Sequence, residues 1–537
     1  MTAIEIGNDI IVVDAGFQFK DDTTPGIDFM IPNTKYLEER KDRVRAIFIT
    51  HGHLDHIGGL PYVIEKLGNP KIYSRTFGSI MIKKRHEEFP HLAPLNMVTL
   101  DGDETIVIGE NMKVETFPIS HAIPDSMGLV IHTHMGDIVF IEDVRVDNIA
   151  GVPTEEENEQ YKRFAGKKAL LLTMDSTSIE KSGWSLSESV VVETLERISR
   201  EVPGRLFIGT FASQVERIIA IIEIAQKLGK KVVIEGRSMK SNVEIIKHLK
   251  LVNTDNVINI TDMDSYPPDR LILLVTGSQG EDFSVLSRVV MKQHKYIQLK
   301  KSDTILLSSS IIPTNHASIT RLKDQLYRSE AKVITYLDAD VHASGHGNRE
   351  ELRWIHQHID YKFFMPVHGY HAFLRQHAEM SMALGTPPEN VIVPDNGSII
   401  EFSDGGNKMT VLPMKAPHEV ITVDGFTISD IQDVVMEDRK LLSQSGIFVI
   451  VASVNTKTGR LKKSPDIISR GFVYLRESQE LLQETRNIVK RAIERNIRGK
   501  AQIDFELLKK IVADDISKYL FQQTAKEPLV IPVILGV

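Results

Sequence analysis

Cysteine is absent from the sequence. Disulfide bonds are therefore excluded, and so are zinc sites built from thiolates. Any bound metal ion must be held by histidine, carboxylate or water, which are the other ligands that first-row metals use in proteins. The lack of disulfides also fits a reducing compartment, and we expect a cytoplasmic protein.

Long apolar runs and an excess of positive charge are missing as well. No stretch approaches the roughly 18 apolar residues of a membrane span, and the chain does not open with a secretory signal. We therefore expect no membrane association. The net charge is −8, and residues 420–537 carry 18 Lys and Arg against 15 Asp and Glu, which gives +3 there and −11 elsewhere. A polyanionic partner would therefore need a local basic channel.

The chain alternates strand-like and helix-like segments along most of its length. Its 537 residues predict two to four domains. From residue 204, short apolar runs alternate with amphipathic segments, which predicts β-α units and a parallel sheet covered on both faces. The tail beyond residue 420 is typical of a small α/β domain. Its predicted helix from Gln479 to Arg498 carries a basic stripe, which is either a solvated face with ion pairs or a contact for RNA or a partner.

The most informative stretch is an apolar run, residues 46–50, that ends in a cluster of polar side chains. His51 and His53 alternate off the end of this predicted strand, whereas Asp55 and His56 are adjacent and face another side. Imidazole and carboxylate groups at such spacing are typical zinc ligands. Two ligand directions favour two ions a few ångströms apart, an arrangement suited to displacement at phosphorus. A polar loop with incidental histidines is the weaker interpretation.

Other predicted strands end in the same kinds of residue. His121, Asp143, Asp175 and His368 each follow an apolar run. Strands that deliver histidine or aspartate to one edge of a sheet would assemble a metal site from distant parts of the chain. The turn at residues 211–213 is made of small and polar residues whose backbone N–H groups suit phosphates, although such turns are also ordinary in α/β domains.

Together these motifs resemble the ribonuclease J family, which are β-CASP nucleases of the metallo-β-lactamase fold. The resemblance runs nearly end to end. It rests on these motifs: His51-Gly52-His53-Leu54-Asp55-His56, His121-Ala122-Ile123-Pro124-Asp125-Ser126, Asp143, Asp175-Ser176-Thr177, Gly236-Arg237-Ser238-Met239, Thr276-Gly277-Ser278-Gln279-Gly280-Glu281, His342-Ala343-Ser344-Gly345-His346, Pro366-Val367-His368-Gly369 and, in the tail, Val423-Asp424-Gly425 and Ile468-Ser469-Arg470-Gly471-Phe472.

The resemblance implies an α/β fold in which a metallo-β-lactamase αββα sandwich carries an inserted parallel α/β β-CASP domain and a small α/β C-terminal domain. The expected boundaries are 1–203 for the first part of the sandwich, 204–342 for the β-CASP domain, 343–405 for the return of the sandwich, 406–419 for a linker and 420–537 for the C-terminal domain.

The resemblance also implies two Zn²⁺ ions per subunit. One ion would be held by His51, His53 and His121 and the other by Asp55, His56 and His368, with Asp143 bridging the two. Asp175 would orient a ligand imidazole from outside the coordination sphere. RNA phosphates, including the 5′-terminal one, would contact Phe211, Ala212, Ser213, His342, Ala343, Ser344, Gly345 and His346. A structural Ca²⁺ near Asp28 is a further expectation from some relatives.

The implied reaction is hydrolysis of RNA phosphodiesters, 5′-to-3′ from 5′-monophosphate ends, with internal cuts as well, in RNA maturation and decay. Asp55 would serve as ligand and base, His346 would protonate or stabilise the leaving 3′-oxygen, and Asp175 would support the centre. The expected partners are single-stranded RNA, further copies of the chain in a homodimer or homotetramer, and other proteins of RNA degradation.

Several positions depart from the family pattern. Glu142 stands where glycine is common, Tyr370 where glutamate is usual, and Pro313-Thr314-Asn315-His316 replaces Pro-Gly-Asn-Glu. These changes bear on rate and substrate preference more than on the metal ligands. Two alternatives stay open: a hydrolase of DNA or small phosphodiesters on the same scaffold, and a weakly active RNA-binding subunit. A β-lactamase or thioesterase is disfavoured because the inserted domain and the tail would have no role.

Overall fold

A computed structural model describes the chain apart from residues 21–23, 282, 313–314, 425–426, 430–432, 457, 473–477 and 498–502. The chain forms two compact units. Residues 1–17 and 32–419 make the first, and residues 18–31 and 420–537 make the second. Among the described residues, no helix combines the length and apolar character needed to cross a bilayer. Gly425, Arg498, Pro313 and Thr314, named above, lie outside the described residues.

The elements up to residue 203 are β1 (Thr2–Ile6), β2 (Asp9–Val13), β3 (Gln18–Phe19), β4 (Phe29–Ile31), α1 (Lys35–Glu38), β5 (Val44–Phe48), α2 (Leu54–Ile57), α3 (Leu60–Val63), β6 (Lys71–Arg75), α4 (Thr76–Glu87), β7 (Met97–Leu100), β8 (Thr105–Ile108), β9 (Met112–Pro118), β10 (Met127–Thr133), β11 (Gly136–Ile141), β12 (Asn148–Ile149), β13 (Val152–Pro153), α5 (Glu155–Tyr161), β14 (Lys168–Asp175) and α6 (Glu188–Glu201). The rest of the first unit contains β15 (Leu206–Thr210), α7 (Val215–Lys227), β16 (Lys231–Glu235), α8 (Arg237–His248), β17 (Val257–Ile258), β18 (Leu271–Val275), α9 (Val285–Val290), β19 (Thr304–Ser308), α10 (His316–Arg328), β20 (Lys332–Thr335), α11 (Arg349–His358), β21 (Asp360–Val367), α12 (His371–Ala383), β22 (Ser398–Ser403) and β23 (Lys408–Lys415).

Two sheets of the first unit pack face to face, in the orders β1-β2-β5-β6-β7 and β21-β14-β11-β10-β9-β8. Val13 and Phe48 from the first sheet and Leu129 and Phe140 from the second belong to one buried cluster. Burying each such side chain contributes about 1.5–3 kcal/mol. This cluster is the inner layer of the sandwich, and it sets the positions of strands β5, β9, β11, β14 and β21.

Helices cover the outer faces of both sheets. Because side chains alternate along a strand, Ile10 and Val12 of β2 point away from Val13, and they pack with Leu60 and Val63 of α3. The outer face of the other sheet packs against α11 and α12, through residues such as Ile355 and Met380. The layers are therefore helix, sheet, sheet and helix, as predicted.

A third sheet, in the order β17-β16-β18-β15-β19-β20, is parallel throughout. Leu206 and Ile208 pack on one side with helices α6, α7 and α8, whereas Phe207 packs on the other side with α9 and α10. The predicted parallel sheet covered on both faces is confirmed. Helix α6 precedes the expected boundary at residue 204 but packs on this sheet, because its apolar side chains, including Val191 and Leu195, share a buried cluster with α7 and the sheet.

The expected linker at residues 406–419 needs correction. Residues 408–415 form strand β23, which pairs antiparallel with β22. Gly405 and Gly406 make the connection with positive φ values of 59° and 81°, so the chain turns back here as a hairpin. The change from the first to the second unit comes later, after Glu419.

The second unit contains β24 (Ile421–Asp424), β25 (Thr427–Ser429), α13 (Asp433–Ser445), β26 (Ile447–Asn455), β27 (Arg460–Leu461), β28 (Asp466–Arg470), α14 (Gln479–Ile497), α15 (Phe505–Thr524) and β29 (Leu529–Gly536). Strand β26 pairs with β27, β28 and β29, and α14 and α15 pack through Val489 and Val512 in the buried core of this unit. The predicted small α/β domain is confirmed.

The basic stripe of α14 is partly engaged within the second unit. Arg491 donates to Glu484, and Arg495 lies 3.7 Å from Asp515. Arg486 donates to the carbonyl of Pro465. Lys490 is exposed. These contacts support the interpretation of the stripe as a solvated face with ion pairs.

Glu157 on α5 yields a prediction for stability. Its side chain is buried, and its Oε1 accepts from the backbone of Asp147 (3.0 Å) and from the Ser120 hydroxyl, while Oε2 has no hydrogen-bond partner among the described residues. Burial raises the pKa of Glu157 to about 7. A folded-state pKa above the unfolded one destabilises the fold as pH rises from about 4.5 to 7. Glu157→Gln should therefore unfold at higher urea than the parent at pH 8 and show no gain at pH 5.

A matched control exists in Glu351, another buried glutamate. Both of its carboxylate oxygens accept hydrogen bonds, from Ser185, Val146 and Asn348. An amide there would face donors with its own N–H groups, so Glu351→Gln should be destabilised at both pH values. The chain's two tryptophans, Trp184 and Trp354, lie in the first unit, so tryptophan fluorescence follows the relevant unfolding. If urea unfolding of the parent and of Glu157→Gln depended equally on pH, the raised pKa of Glu157 would be contradicted.

Candidate metal centre

The candidate ligands come from strands that end at one edge of the sandwich. Strands β11, β14 and β21 are parallel neighbours, so Asp143, Asp175 and His368 emerge side by side. Strand β5 leads into the loop that carries His51 and His53, and His121 follows β9. The predicted assembly of a site from distant strand ends is what the structure shows.

One group of ligand atoms is formed by His51, His53, His121 and Asp143. The Nδ1 atom of His53 lies 3.0 Å from Nε2 of His51 and 3.2 Å from Nε2 of His121. Oδ2 of Asp143 lies 3.5 Å from the His51 nitrogen and 3.4 Å from the His121 nitrogen. Four ligand atoms thus converge on one point.

A second group is formed by Asp55, His56, Asp143 and His368. Here it is Oδ1 of Asp143 that faces the imidazoles, at 3.4 Å from Nε2 of His56 and 3.3 Å from Nε2 of His368. Oδ2 of Asp55 lies 3.7 and 3.9 Å from the same nitrogens. Asp143 therefore offers one oxygen to each group, which is the geometry of a bridging carboxylate.

The protonation of the first group fits a cation. The Nε2 atom of His53 faces the carbonyl of Ser213 at 3.2 Å, and Nδ1 of His121 faces the carbonyl of Gly345 at 2.6 Å. Since a carbonyl only accepts, both of these nitrogens carry the proton. The other nitrogens of the two rings are then bare lone pairs 3.2 Å apart. Such lone pairs repel each other unless a metal ion binds both.

The second group gives the same result. Nδ1 of His56 lies 2.8 Å from a carboxylate oxygen of Asp14 and donates to it. Nε2 of His56 and Oδ1 of Asp143 are then left facing each other, buried and without hydrogen-bond partners among the described residues. Buried polar atoms are almost always satisfied, so a divalent ion fits this donor set of imidazole and carboxylate.

The charges around Asp143 favour a positive ion. Burial lowers the pKa of His51 and of His121 well below the ordinary value, so these rings stay neutral. Burial would lower the pKa of His368 as well, but the Asp143 carboxylate and Asp175 raise it to about 10. The acidic groups thus attract positive charge, and a metal ion would compete with protons for it.

Asp175 and His346 lie beside the two groups. Nδ1 of His346 lies 2.8 Å from Oδ2 of Asp175, and its Nε2 lies 3.8 Å from Oδ2 of Asp143. Asp175 thus orients mainly His346, whereas Nδ1 of His368 lies 3.6 Å from Asp175 and 2.9 Å from the Thr177 hydroxyl. Together with Asp143 and His368, these two residues form a third set of atoms close enough to hold an ion.

Two residues of the site were missed in the sequence. Asp14 accepts from the backbone and hydroxyl of Thr50, each at 2.8 Å, as well as from His56. Thr177 orients His368. Asp14 follows a buried strand, as the predicted ligands do, and that placement was the signal available. Its positive φ of 59° is a strained conformation that the sequence does not reveal.

The predicted substrate-binding segments lie against the metal centre. Ser213 and Gly345 contact the metal-centre imidazoles through their carbonyls. The Ser344 hydroxyl accepts from the backbone N–H of His346, and the Phe211 ring lies 6.2 Å from that of His342. A Cβ atom at Gly345 would come within 2.8 Å of the His121 ring, so only glycine allows this approach.

Glu142, Tyr370 and Asp28 are the other residues that the sequence singled out. Glu142 is buried behind the centre, and burial raises its pKa to about 7. Tyr370 exposes 73% of its surface beside His368. Asp28 is exposed, and it is absent from the His/Asp groups able to hold an ion in the described part of the chain. The structural Ca²⁺ therefore gains no support.

Comparisons with known proteins agree with this architecture. The model of the metallo-β-lactamase superfamily matches residues 1–145, that of the ribonuclease J β-CASP domain matches residues 203–326, and that of the ribonuclease J C-terminal domain matches residues 434–537. The fold and the His/Asp centre define a metal-dependent hydrolase of the metallo-β-lactamase class.

Curated relatives narrow the class. Ribonuclease J2 of Bacillus subtilis (strain 168) is 31% identical, and Ribonuclease J 2 of Staphylococcus aureus (strain NCTC 8325 / PS 47) is 32% identical, each over 99% of this chain and 95% of the relative. The chain belongs to the ribonuclease J family. A crystal structure of a protein of unknown function from Enterococcus faecalis V583 matches 76% of this chain and 96% of its own, with a TM-score of 0.51 and 18% identity, and it supports the fold alone.

Proposed function

We propose that this protein is a zinc-dependent ribonuclease that removes nucleotides 5′-to-3′ from 5′-monophosphate ends and also cuts internally. The observation that carries the proposal is the position of Asp143, whose two oxygens are shared between two groups of ligand atoms. The segments around Ser213 and Gly345 adjoin that centre. The names of the curated relatives supply RNA as the substrate.

Two Zn²⁺ ions are the proposed occupants. The first would be held by His51, His53 and His121, the second by Asp55, His56 and His368, and Asp143 would bridge them. The donor set of imidazole and carboxylate without thiolate suits zinc. When bound, the ions supply Lewis acidity and lower the pKa of water so that hydroxide is available near neutral pH.

The protein's own groups would manage the protons. Asp55 has 40% of its side chain exposed, so its carboxylate can accept a proton at the open face of the centre. His346 is held by Asp175 through its Nδ1 atom, which leaves Nε2 directed at the centre. Burial lowers the pKa of His346, but the Asp175 and Asp143 carboxylates outweigh it and raise the pKa. A protonated ring there can donate to the leaving 3′-oxygen.

Residues 211–213 and 342–346 would set the position of the RNA phosphates relative to the metal centre. Both segments adjoin the metal ligands, and the backbone N–H groups of such turns suit phosphate oxygens. Binding of the 5′-terminal phosphate by these segments would place the first phosphodiester at the centre, so that each cut would release a mononucleotide. A channel that continues past the phosphate-binding segments would also allow cleavage at internal phosphodiesters of the RNA.

The product ladder from end-labelled RNA tests the proposal. We expect RNA with a 5′-monophosphate to yield mononucleotide at least about tenfold faster than the same RNA with a 5′-hydroxyl, because the terminal phosphate adds charged hydrogen bonds. Matched DNA should be cut more slowly. Equal rates on the two RNAs, with no mononucleotide product, would contradict the proposed 5′-to-3′ exonuclease activity. A preference for DNA would favour the alternative phosphodiesterase.

Metal content and assembly are measured on the same preparation. We propose two zinc ions per chain and a homodimer or homotetramer, to be checked by elemental analysis and light scattering. Bound metal with no cleavage of any nucleic acid would favour the weakly active RNA-binding subunit. Other proteins of RNA degradation remain proposed partners.

A further inference from the structure

Arg217 is a fully buried guanidinium that the proposed reaction does not use. It lies on α7, is 0% exposed, and forms a two-point ion pair with Glu188 on α6, at 2.9 Å from Nε and 2.6 Å from Nη2. A buried arginine needs all its donors satisfied. Where its remaining donors go therefore shows what the side chain holds in place.

The remaining donors of Arg217 reach the chain that leads to the metal centre. Nη1 donates to Nδ1 of His342 at 2.9 Å, and Nη2 donates to the carbonyl of Ala343 at 3.2 Å. Nη1 also lies 3.4 Å from the carbonyl of Ser308. One side chain thus ties the end of β19 and the first residues of the segment 342–346, which we call the strap.

Arg217 also fixes the state of His342. A guanidinium cannot accept a hydrogen bond, so Nδ1 of His342 is the acceptor and the proton of the neutral ring is on Nε2. Burial and the charge of Arg217 lower the pKa of His342 to about 3. The ring is therefore a neutral donor at Nε2 throughout the physiological range.

The other end of the strap touches the metal centre. The Gly345 carbonyl accepts from Nδ1 of His121, and Nδ1 of His346 lies 2.8 Å from Asp175. Arg217 at one end and the metal-centre residues at the other leave the strap little freedom. Pre-organisation of this kind reduces the entropy lost when a ligand binds.

We propose that Arg217 is a positioning residue for RNA, which it serves by holding the strap in the conformation that receives a phosphate. The inference rests on the proposed function, because it takes the strap as part of the RNA site. It adds a residue that touches neither metal ligand nor substrate and acts through His342 and Ala343.

Arg205 provides a matched control for a merely structural arginine. It is also buried and forms a two-point ion pair, with Asp303 at 2.9 and 2.6 Å, and it donates to the carbonyl of Gln298 at 2.7 Å. Among the described residues, none of the hydrogen bonds of the Arg205 side chain reaches the strap. If Arg217 only stabilised the fold, lysine at either position would have the same consequences.

The experiment compares Arg217→Lys and Arg205→Lys, which both keep the charge. The substrate is single-stranded RNA with a 5′-monophosphate, and KM, kcat and metal content are measured. Equilibrium binding to the metal-loaded protein is measured by fluorescence anisotropy with the same RNA made resistant to cleavage by phosphorothioate linkages. We expect Arg217→Lys to raise KM and Kd about tenfold, the value of one hydrogen bond to a charged group. Its kcat and metal content should stay within about threefold of the parent. Arg205→Lys should match the parent in all four.

The results for the lysine variants and for the parent protein can each overturn the inference. Equal KM and Kd in the two lysine variants would overturn the inference, as would a loss of metal from Arg217→Lys. A parent that binds RNA but does not cleave it would refute the nuclease and leave the Kd comparison valid. A parent that does not bind RNA would overturn both.

A second pair of variants guards against misfolding of Arg217→Lys. His342→Asn places an amide oxygen near the position of Nδ1 and keeps an acceptor for Arg217, whereas His342→Ala removes it. We expect Kd to be at least about threefold lower for His342→Asn than for His342→Ala, since a retained hydrogen bond is worth about 1 kcal/mol. Equal Kd values would overturn the inference.

Discussion

Asp143→Ala should lower kcat on single-stranded RNA by about 10⁴-fold or more and remove most of the bound metal. Each tenfold loss corresponds to about 1.4 kcal/mol, and metal ions supply several kcal/mol of charge stabilisation in such reactions. Asp143 is buried and directs one oxygen to each group of ligand atoms. Its removal would leave the imidazoles of both groups without their shared negative charge. His53→Ala and Asp55→Ala should also abolish hydrolysis.

Asp137→Ala is the control for this result. Asp137 lies on the same strand, β11, but its carboxylate pairs with His132 at 2.8 Å and is half-exposed. We expect parental kcat and metal content there. Elemental analysis and initial rates on the same preparations make the comparison. Undiminished turnover in Asp143→Ala with full metal content would show that this centre does not catalyse the reaction.

The residues that the structure brings together at the candidate centre could be predicted because each stands at an abrupt change in the sequence. A run such as residues 46–50 is buried on both faces, so a polar side chain immediately after it marks the edge of the sheet. Asp143 and His368 follow the same rule at β11 and β21. Asp14 fits the same rule, since it follows β2, but the rule does not distinguish a metal ligand from a residue that orients one.

Local sequence patterns could not predict which strands pair, or which sheet a helix covers, when the partners lie far apart in the chain. Strand β4, at residues 29–31, pairs with β24 at residues 421–423 and so belongs to the second unit. Its short apolar run was compatible with the sandwich, and only tertiary contacts decide between the two sheets. Helix α6 is a similar case, since an amphipathic face shows that a helix packs but not which sheet it covers.

His346→Ala should lower kcat on RNA by about 10²- to 10³-fold while KM stays within a few-fold, as expected for loss of a general acid. The Asp175 carboxylate holds Nδ1 of His346 at 2.8 Å, and Nε2 faces the centre. A substrate whose leaving group needs no proton should escape the defect. On the p-nitrophenyl ester of a nucleoside 5′-phosphate we therefore expect less than about a tenfold loss.

Metal content separates proton donation from metal binding at His346. Because His346, Asp143, Asp175 and His368 could also hold an ion together, a ligand role is the rival explanation. Loss of metal from His346→Ala, with equal defects on RNA and the p-nitrophenyl ester, would support that rival, since a missing ion impairs attack on either substrate. Full metal content with a defect confined to RNA would identify the imidazole as the group that completes the departure of the 3′-oxygen.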